Sequence, residues 1–362
     1  MSFNFFLFRG FRLLLFPFSF IIGIYIKIRN FFYDKQWLKA SSFNLPMICI
    51  GNLSVGGTGK SPMTEYMLRL LSPHFQVAIL SRGYKRKTSG YVLAGVNTTA
   101  LEIGDEPMQF FIKFPDVAVA VGEERVEAVP QLLQDRPATE IILLDDAFQH
   151  RKIKAGFNIL LTDFSNPYWQ DWFLPSGDLR DEKKSAQRAD VIIVTKCPKE
   201  LDTDLKKKYL SSIKPLFNQA VFFTEIVYGV PYHLLSREPY LLHQNLEVLL
   251  VCGIANPLPL KKYLEKNTSA YFEKNYDDHH IFSIDDLREI QKKFKQLETP
   301  DKIILTTEKD AVRLLKFGEL LKSVPIYVMP IRHQFLFNER EHFDALVSLF
   351  IDSFNAPVIQ LK

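Results

Sequence analysis

The sequence predicts an α/β protein: a parallel-sheet unit, then a second and smaller α/β unit, with an apolar helical segment in front of both. Three observations predict this. Short β-branched runs alternate with helix-period segments along most of the 362 residues. Several of those runs are apolar at successive positions, and the first 32 residues crowd phenylalanine with basic residues. Strands alternating with helices build βαβ units, and unbroken apolar runs are strands covered on both faces. With 47% apolar and 24% charged residues the chain has an ordinary folded composition, which sets disorder aside. A net charge of +4 gives no support to nucleic-acid binding. Cys49, Cys197 and Cys252 lie far apart with no C-x-x-C pair. They make neither a disulfide framework nor a zinc site and fit a reducing compartment.

The elements follow in order. Residues 1–32 form the leading segment; within 3–32 lie Arg9, Arg12, Lys27 and Arg29 and no acid. The uncharged run between Arg12 and Lys27 has 14 residues and includes Pro17, short of the roughly 20 that span a bilayer. No small-residue cleavage site follows it. The expectation is an amphipathic or hairpin segment lying in the membrane interface, its basic residues on anionic headgroups. Packing on the main core is the other use for such a segment. Residues 33–222 carry the strand runs "PMICI", "QVAIL", "DVAVAV", "EIILLDD", "FNILLTD" and "DVIIVTK". "AVFFTEIVYGVPYHLL" breaks the rhythm with a Gly/Pro turn and no crossover helix, so 223–245 reads as a hairpin-like linker. "LEVLLVCGIANP", "KIILTTEKDAVRLL" and "VPIYVMP" then build the smaller unit, 246–362.

"GNLSVGGTGKSPM" (51–63) follows the first of these strands and opens a helix. It matches the phosphate-loop pattern G-x-x-x-x-G-K-[ST] except that Ser54 replaces the first glycine. The expected loop is Ser54, Val55, Gly56, Gly57, Thr58, Gly59, Lys60 and Ser61. The glycines let backbone N–H groups approach phosphate oxygens, Lys60 reaches the β- and γ-phosphates, and the Ser61 hydroxyl ligates Mg²⁺. The spacing is similar to that of membrane-associated partitioning ATPases, but Val55 stands where their signature lysine would be. Asp145 and Asp146, directly after four aliphatic residues, supply the second Mg²⁺ site expected at a strand end. The first unit therefore reads as P-loop NTPase-like. "VIIVTKCP" has Pro198 where a guanine-specific protein carries Asp, so ATP is the default nucleotide.

A kinase also needs a base. "LEIGDEPMQFF" puts Asp105 and Glu106 between Gly104 and Pro107, which reads as a fixed turn holding a carboxylate. "SRGYKRK" gathers Arg82, Tyr84, Lys85, Arg86 and Lys87 after a strand, where open α/β sheets bind ligands. In "NYDDHHIF", His279 reads as a histidine polarised by an aspartate. "TTEKDAVRL" reads as a helix start capped by Thr307 and nothing more.

Taken together, "GNLSVGGTGKSP", "SRGYKR", "GDEP", "DDAFQH", "GIANP", "DHH" and "TEKDAV", with the apolar leader, resemble the tetraacyldisaccharide 4'-kinase family. The matches run in order over nearly the whole chain. The resemblance implies transfer of the ATP γ-phosphate to the 4'-hydroxyl of a lipid A disaccharide 1-phosphate, forming lipid IVA at the cytoplasmic face of the bacterial inner membrane. It implies ATP and Mg²⁺ and a cleft between two α/β units. It implies Asp105 as catalytic base coupled to His279, Asp145 and Asp146 at Mg²⁺, and Arg82, Tyr84 and Glu106 on the substrate side. Arg180 would stabilise charge on the transferring group. Two positions depart from the family pattern, Ala147 for Gly and Asp181 for Glu. The rival reading is a membrane-associated P-loop ATPase or GTPase that switches partners, although no motif calls for an obligate protein partner.

Overall fold

The computed structural model describes Arg12 and residues 14–355. Residues 3–11 of the expected membrane segment, Arg9 included, lie outside the described residues. In chain order helix α1 (Phe16–Asp34) precedes β1 (Met47–Asn52), α2 (Lys60–Leu71), β2 (Val77–Ser81) and β3 (Val92–Leu93). Next come α3 (Ala100–Ile103), α4 (Asp105–Lys113), β4 (Ala118–Val121), α5 (Arg125–Asp135), β5 (Ile141–Asp145) and β6 (Phe157–Asp163). β7 (Val191–Thr195), α6 (Thr203–Ile213) and β8 (Ala220–Tyr228) follow. Then come β9 (Tyr232–His233), β10 (Glu247–Cys252), α7 (Leu258–Asn267), β11 (Ala270–Asn275) and α8 (Ile284–Lys295). The remaining elements are β12 (Lys302–Thr307), α9 (Glu308–Leu314), β13 (Ile326–Met329), β14 (Ile331–Phe335) and α10 (Arg340–Asn355).

The larger sheet has nine strands in the order β14-β8-β7-β6-β1-β5-β2-β4-β3. Its interior pairs are parallel, and only β3 and β14, at the two edges, run antiparallel. The unbroken apolar runs have the expected cause. In β1, Ile48 and Ile50 face a core built with Met63, Met67 and Leu68 of α2, while Met47 and Cys49 face one built with Ala128, Val129 and Leu132 of α5. Alternate side chains point to opposite faces, and helices cover both. The second sheet, β11-β10-β12-β13-β9, is likewise sandwiched, by α8 on one face and α7 on the other.

Two expectations about organisation need correcting. β8 (Ala220–Tyr228) runs through the start of the expected linker 223–245, yet it is an interior strand of the large sheet, between β7 and β14. Phe222, Phe223 and Thr224 are buried there, and only the stretch after Tyr228 crosses to the second sheet. The expected smaller unit 246–362 also ends early. β14 returns to the large sheet beside β8, and Phe343, Val347 and Ile351 of α10 enter its core.

α1 packs with its polarity reversed. Its buried residues are Ser19, Gly23, Ile26 and Asn30, whereas Phe16, Phe18, Phe20, Ile21, Tyr25 and Ile28 are exposed. Asn30 Nδ2 donates to Asp181 Oδ1 at 2.8 Å and to Glu182 Oε1 at 2.9 Å. A Cβ on Gly23 would stand 2.8 Å from the Phe173 ring, so the small residue permits this close approach. Arg12 is tied to Asp178 at 2.7 Å, so it faces the protein, while Lys27 is exposed. No helix among the described residues is long and apolar enough to cross a membrane.

Candidate active site

β1 delivers the chain into the glycine loop between β5 and β6, at the carboxyl end of the parallel strands, where open α/β sheets bind ligands. Gly56 stands at φ +103°, and nothing lies within 4 Å of where a Cβ would sit on it or on Gly57. Gly59 at φ +87° caps α2, whose first residues are Lys60 and Ser61. The open glycine backbone and the positive end of the helix make an anion seat. Ser54 and Val55 are otherwise engaged: Ser54 is buried in a bridge to Leu179, and the Val55 N–H donates to the Asp178 carbonyl at 2.8 Å. Asn52 Nδ2 donates to Thr58 Oγ1 at 2.8 Å and Thr195 Oγ1 to the Thr58 carbonyl at 2.8 Å, which fixes the loop's middle.

Behind the loop stands His333 of β14, which the sequence reading did not single out. Its Nε2 meets the Gly59 carbonyl at 2.9 Å and its Nδ1 meets Thr224 Oγ1 at 2.9 Å. Burial lowers its pKa to about 4. The ring is therefore neutral, with Nε2–H donating to the carbonyl and Nδ1 accepting from the hydroxyl.

Three carboxylates face this loop. Asp145 is buried at the end of β5 and accepts from Ser81 Oγ at 3.1 Å and Thr64 Oγ1 at 3.2 Å. Burial, and then the charges of Glu106 and Asp146, push its pKa up to about 7. Asp146 receives the fork of Arg180 and has Lys60 Nζ at 3.8 Å. Burial opposes its ionisation, but Lys60 and Arg180 outweigh that and hold it below the usual carboxylate range. Glu106 accepts from Ser61 Oγ at 3.0 Å and from Lys309 Nζ at 2.6 Å. Burial again opposes, while Lys309, Lys60 and the Ser61 hydroxyl depress its pKa. The donors here are all oxygens, the chemistry of a hard cation such as Mg²⁺. Among the described residues no cluster of three or more His, Cys, Asp and Glu side chains could hold an ion by itself. Magnesium held by one or two carboxylates and substrate phosphates needs none.

Asp105 opens α4, so the acidic pair lies in the first turn of a helix and not in the expected turn. Gly104 at φ +94° precedes it, and Pro107 sits within the first turn, where its missing N–H leaves no bond unmade. The second unit reaches Asp105 with two groups: Arg313 of α9 at 2.8 and 2.9 Å, and His279 Nδ1 at 3.3 Å. Tyr84 lies edge-on to His279 with ring centroids 6.1 Å apart. It and Arg82 are exposed. Lys113 ties Glu65 of α2 (2.5 Å) to Glu308 of α9, so the helices carrying Lys60, Asp105 and Arg313 share one buried ion cluster.

The sequence-predicted residues thus meet, with exceptions. Glu106 points to the glycine loop and Lys309, not outward to an acceptor. Asp181 is fully buried, bonded to Asn30 and Arg188, and holds α1 in place away from the loop. Lys309 and Arg313 were read as part of a capped helix only. Their i, i+4 spacing on one face of α9 was the available signal.

A parallel sheet with a glycine loop at its switch point, a lysine at the helix start and acids on the next strand defines a P-loop nucleotide-binding phosphotransferase. A family profile for tetraacyldisaccharide-1-P 4'-kinase matches residues 11–351. The tetraacyldisaccharide 4'-kinase of Flavobacterium johnsoniae is 44% identical over 341 residues, covering 94% of this chain and 97% of that one. That of Bacteroides thetaiotaomicron is 42% identical over 347 residues, covering 91% and 90%. Among solved structures, Aquifex aeolicus LpxK in complex with ATP superposes with a TM-score of 0.74 at 26% identity, covering 94% of this chain and 99% of that chain. The chain belongs to the tetraacyldisaccharide 4'-kinase family and is a kinase. The partner-switch reading is set aside.

Proposed function

We propose that this enzyme transfers the γ-phosphate of ATP to the 4'-hydroxyl of a tetraacyldisaccharide 1-phosphate, with Asp105 as general base, at the cytoplasmic face of the bacterial inner membrane. One observation carries the reading. Neighbouring residues at the start of α4 face two ways: Glu106 bonds to Ser61 of the phosphate loop, while Asp105 bonds to His279 and Arg313 of the second unit. A carboxylate one residue from the group that meets the phosphate loop would take a proton from a hydroxyl lying between the two units.

Phosphoryl transfer needs alignment and charge more than covalent help. The glycine backbone and Lys60 bind the phosphates. Ser61, Asp145 and Asp146 would hold Mg²⁺, which when bound neutralises phosphate charge; in this structure Asp146 is bonded to Arg180 with Lys60 beside it. Arg180 would leave Asp146 and meet charge on the transferring group. Tyr84, exposed beside His279, and Arg82, two residues before it and also exposed, would contact the acceptor. The outward apolar face of α1, with Lys27, would lie on anionic lipid and bring the enzyme to its acyl-chain substrate.

The test is incubation with γ-labelled ATP, Mg²⁺ and the tetraacyldisaccharide 1-phosphate. Label is expected on the 4'-oxygen, and Asp105→Ala should lower kcat roughly a hundredfold or more with ATP affinity nearly intact. An unlabelled disaccharide would overturn the substrate assignment, and undiminished turnover in the variant would remove Asp105 from the mechanism.

A further inference from the structure

Arg313 is only 6% exposed and stands between two carboxylates. One is Asp310 of its own helix, at 3.1 Å from Nη1 to Oδ1. The other oxygen of Asp310 accepts the Gly253 N–H at 3.0 Å and the Thr307 hydroxyl at 2.8 Å, so that carboxylate cannot turn. The second is Asp105, on a helix of the other unit. Arg313 Nε and Nη2 both donate to its Oδ2, at 2.9 and 2.8 Å. His279 Nδ1 lies 3.3 Å from the same oxygen and 3.1 Å from Arg313 Nη2. His279 Nε2 faces Asp278, at 3.8 Å. Among the described residues no side-chain hydrogen bond reaches Asp105 Oδ1.

We infer that Arg313 is a positioning residue for phosphoryl transfer, and that Asp105 takes the acceptor proton through Oδ1. The inference rests on the reading of Asp105 as base and adds the atom and the residue that fixes it. A carboxylate free to rotate offers either oxygen. With two guanidinium donors on Oδ2, this one offers only Oδ1. In the step, the acceptor oxygen bonds to the γ-phosphorus and its proton passes to Oδ1. The bond from the γ-phosphorus to the β–γ bridging oxygen breaks, and ADP leaves with that electron pair. Arg313 touches neither reactant and acts through Asp105. Asp310 in turn keeps the guanidinium from swinging away.

The experiment uses the full chain and compares Arg313→Ala, Arg313→Lys, Asp105→Asn and the double variant Asp105→Asn/Arg313→Ala. It reads kcat, KM for ATP and the thermal midpoint, with a tetraacyldisaccharide 1-phosphate in detergent micelles as acceptor. Arg313→Ala should lower kcat about tenfold or more with KM for ATP nearly unchanged, a loss in the transition state and not in nucleotide binding. Arg313→Lys should recover part of it at a wild-type midpoint, because an ammonium supplies the charge without the fork. On the Asp105→Asn background, Arg313→Ala should remove nothing further, since residues acting as a unit are not additive. Full kcat in Arg313→Ala with Asp105→Asn impaired would overturn the positioning role and leave the base reading standing. Full kcat in Asp105→Asn would overturn both, and additive losses would show that Arg313 does not act through Asp105. If Arg313→Ala fails to fold, Arg313→Lys decides: wild-type kcat in that variant overturns the inference.

Discussion

Gly59→Ala separates the backbone role of the glycine loop from its packing role. Gly59 holds φ +87°, and a methyl there would meet the His333 ring at 3.0 Å. The left-handed conformation costs a residue with a Cβ about 1–2 kcal/mol. Pushing His333 aside disturbs its bonds to Gly59 and Thr224, and a buried polar group left without its partner costs about 1–3 kcal/mol. The two together come to about 2–5 kcal/mol. Gly56→Ala is the control, because Gly56 also has positive φ, at +103°, but nothing lies within 4 Å. It should lose only the backbone part, about 1–2 kcal/mol. Denaturant unfolding of both variants, alone and combined with His333→Ala, measures the difference. Removing the imidazole should bring the cost of Gly59→Ala down to that of Gly56→Ala. Equal destabilisation by the two glycine variants in the wild-type background, or no change on removing His333, would refute this account of the loop's support.

Three further outcomes are expected. Lys113→Met removes the cation between Glu65 and Glu308, leaving Glu65 with Arg69 and, among the described residues, Glu308 with none, and breaking a buried pair this way costs about 3–5 kcal/mol. The loss should grow with rising pH: the folded pKa of Glu308 is already raised to about 7, mainly by burial, so what favours its protonated form disappears as pH climbs through that value. Unfolding at pH 6 and pH 8 checks this, and equal losses would contradict it. His333→Gln should destabilise less at pH 5.5 than at pH 7.5. The wild-type ring, with its folded pKa lowered to about 4, withholds stability as pH falls below the ordinary histidine range, by up to about 1.4 kcal/mol per unit. A pH-independent difference would mean that the ring titrates alike in the folded and unfolded chain. Ile21→Asp, at a position 63% exposed, should change stability by no more than about 0.5 kcal/mol while weakening binding to anionic vesicles about tenfold; undiminished binding would take the outer face of α1 out of the membrane contact.

The interior strands of the fold were readable because each carries its own signal: "MICI" and "IILLD" are apolar on both faces wherever they are placed. The glycine loop was readable for the same local reason. The start of α4 was misread because Gly104 and Pro107 are turn residues by habit, and only the packed helix shows that they mark an N-terminus. "IRHQF" shows an alternating pattern too short and too polar to announce an edge strand, so His333 stayed hidden until β8 gave β14 a neighbour. Lys309 and Arg313 meet acids more than 200 residues away, a pairing that no local pattern encodes. The leading segment was legible as apolar and basic, but not that it would dock by Ser19 and Asn30.

The return of β14 to the first sheet has a consequence for synthesis. The glycine loop emerges from the ribosome early, whereas the histidine backing its turn comes after every strand of the second sheet has been made. Until then a nascent chain carries the nucleotide signature without the wall that supports it. A stalled chain ending before residue 331 should therefore hold ATP poorly, however complete its glycine motif.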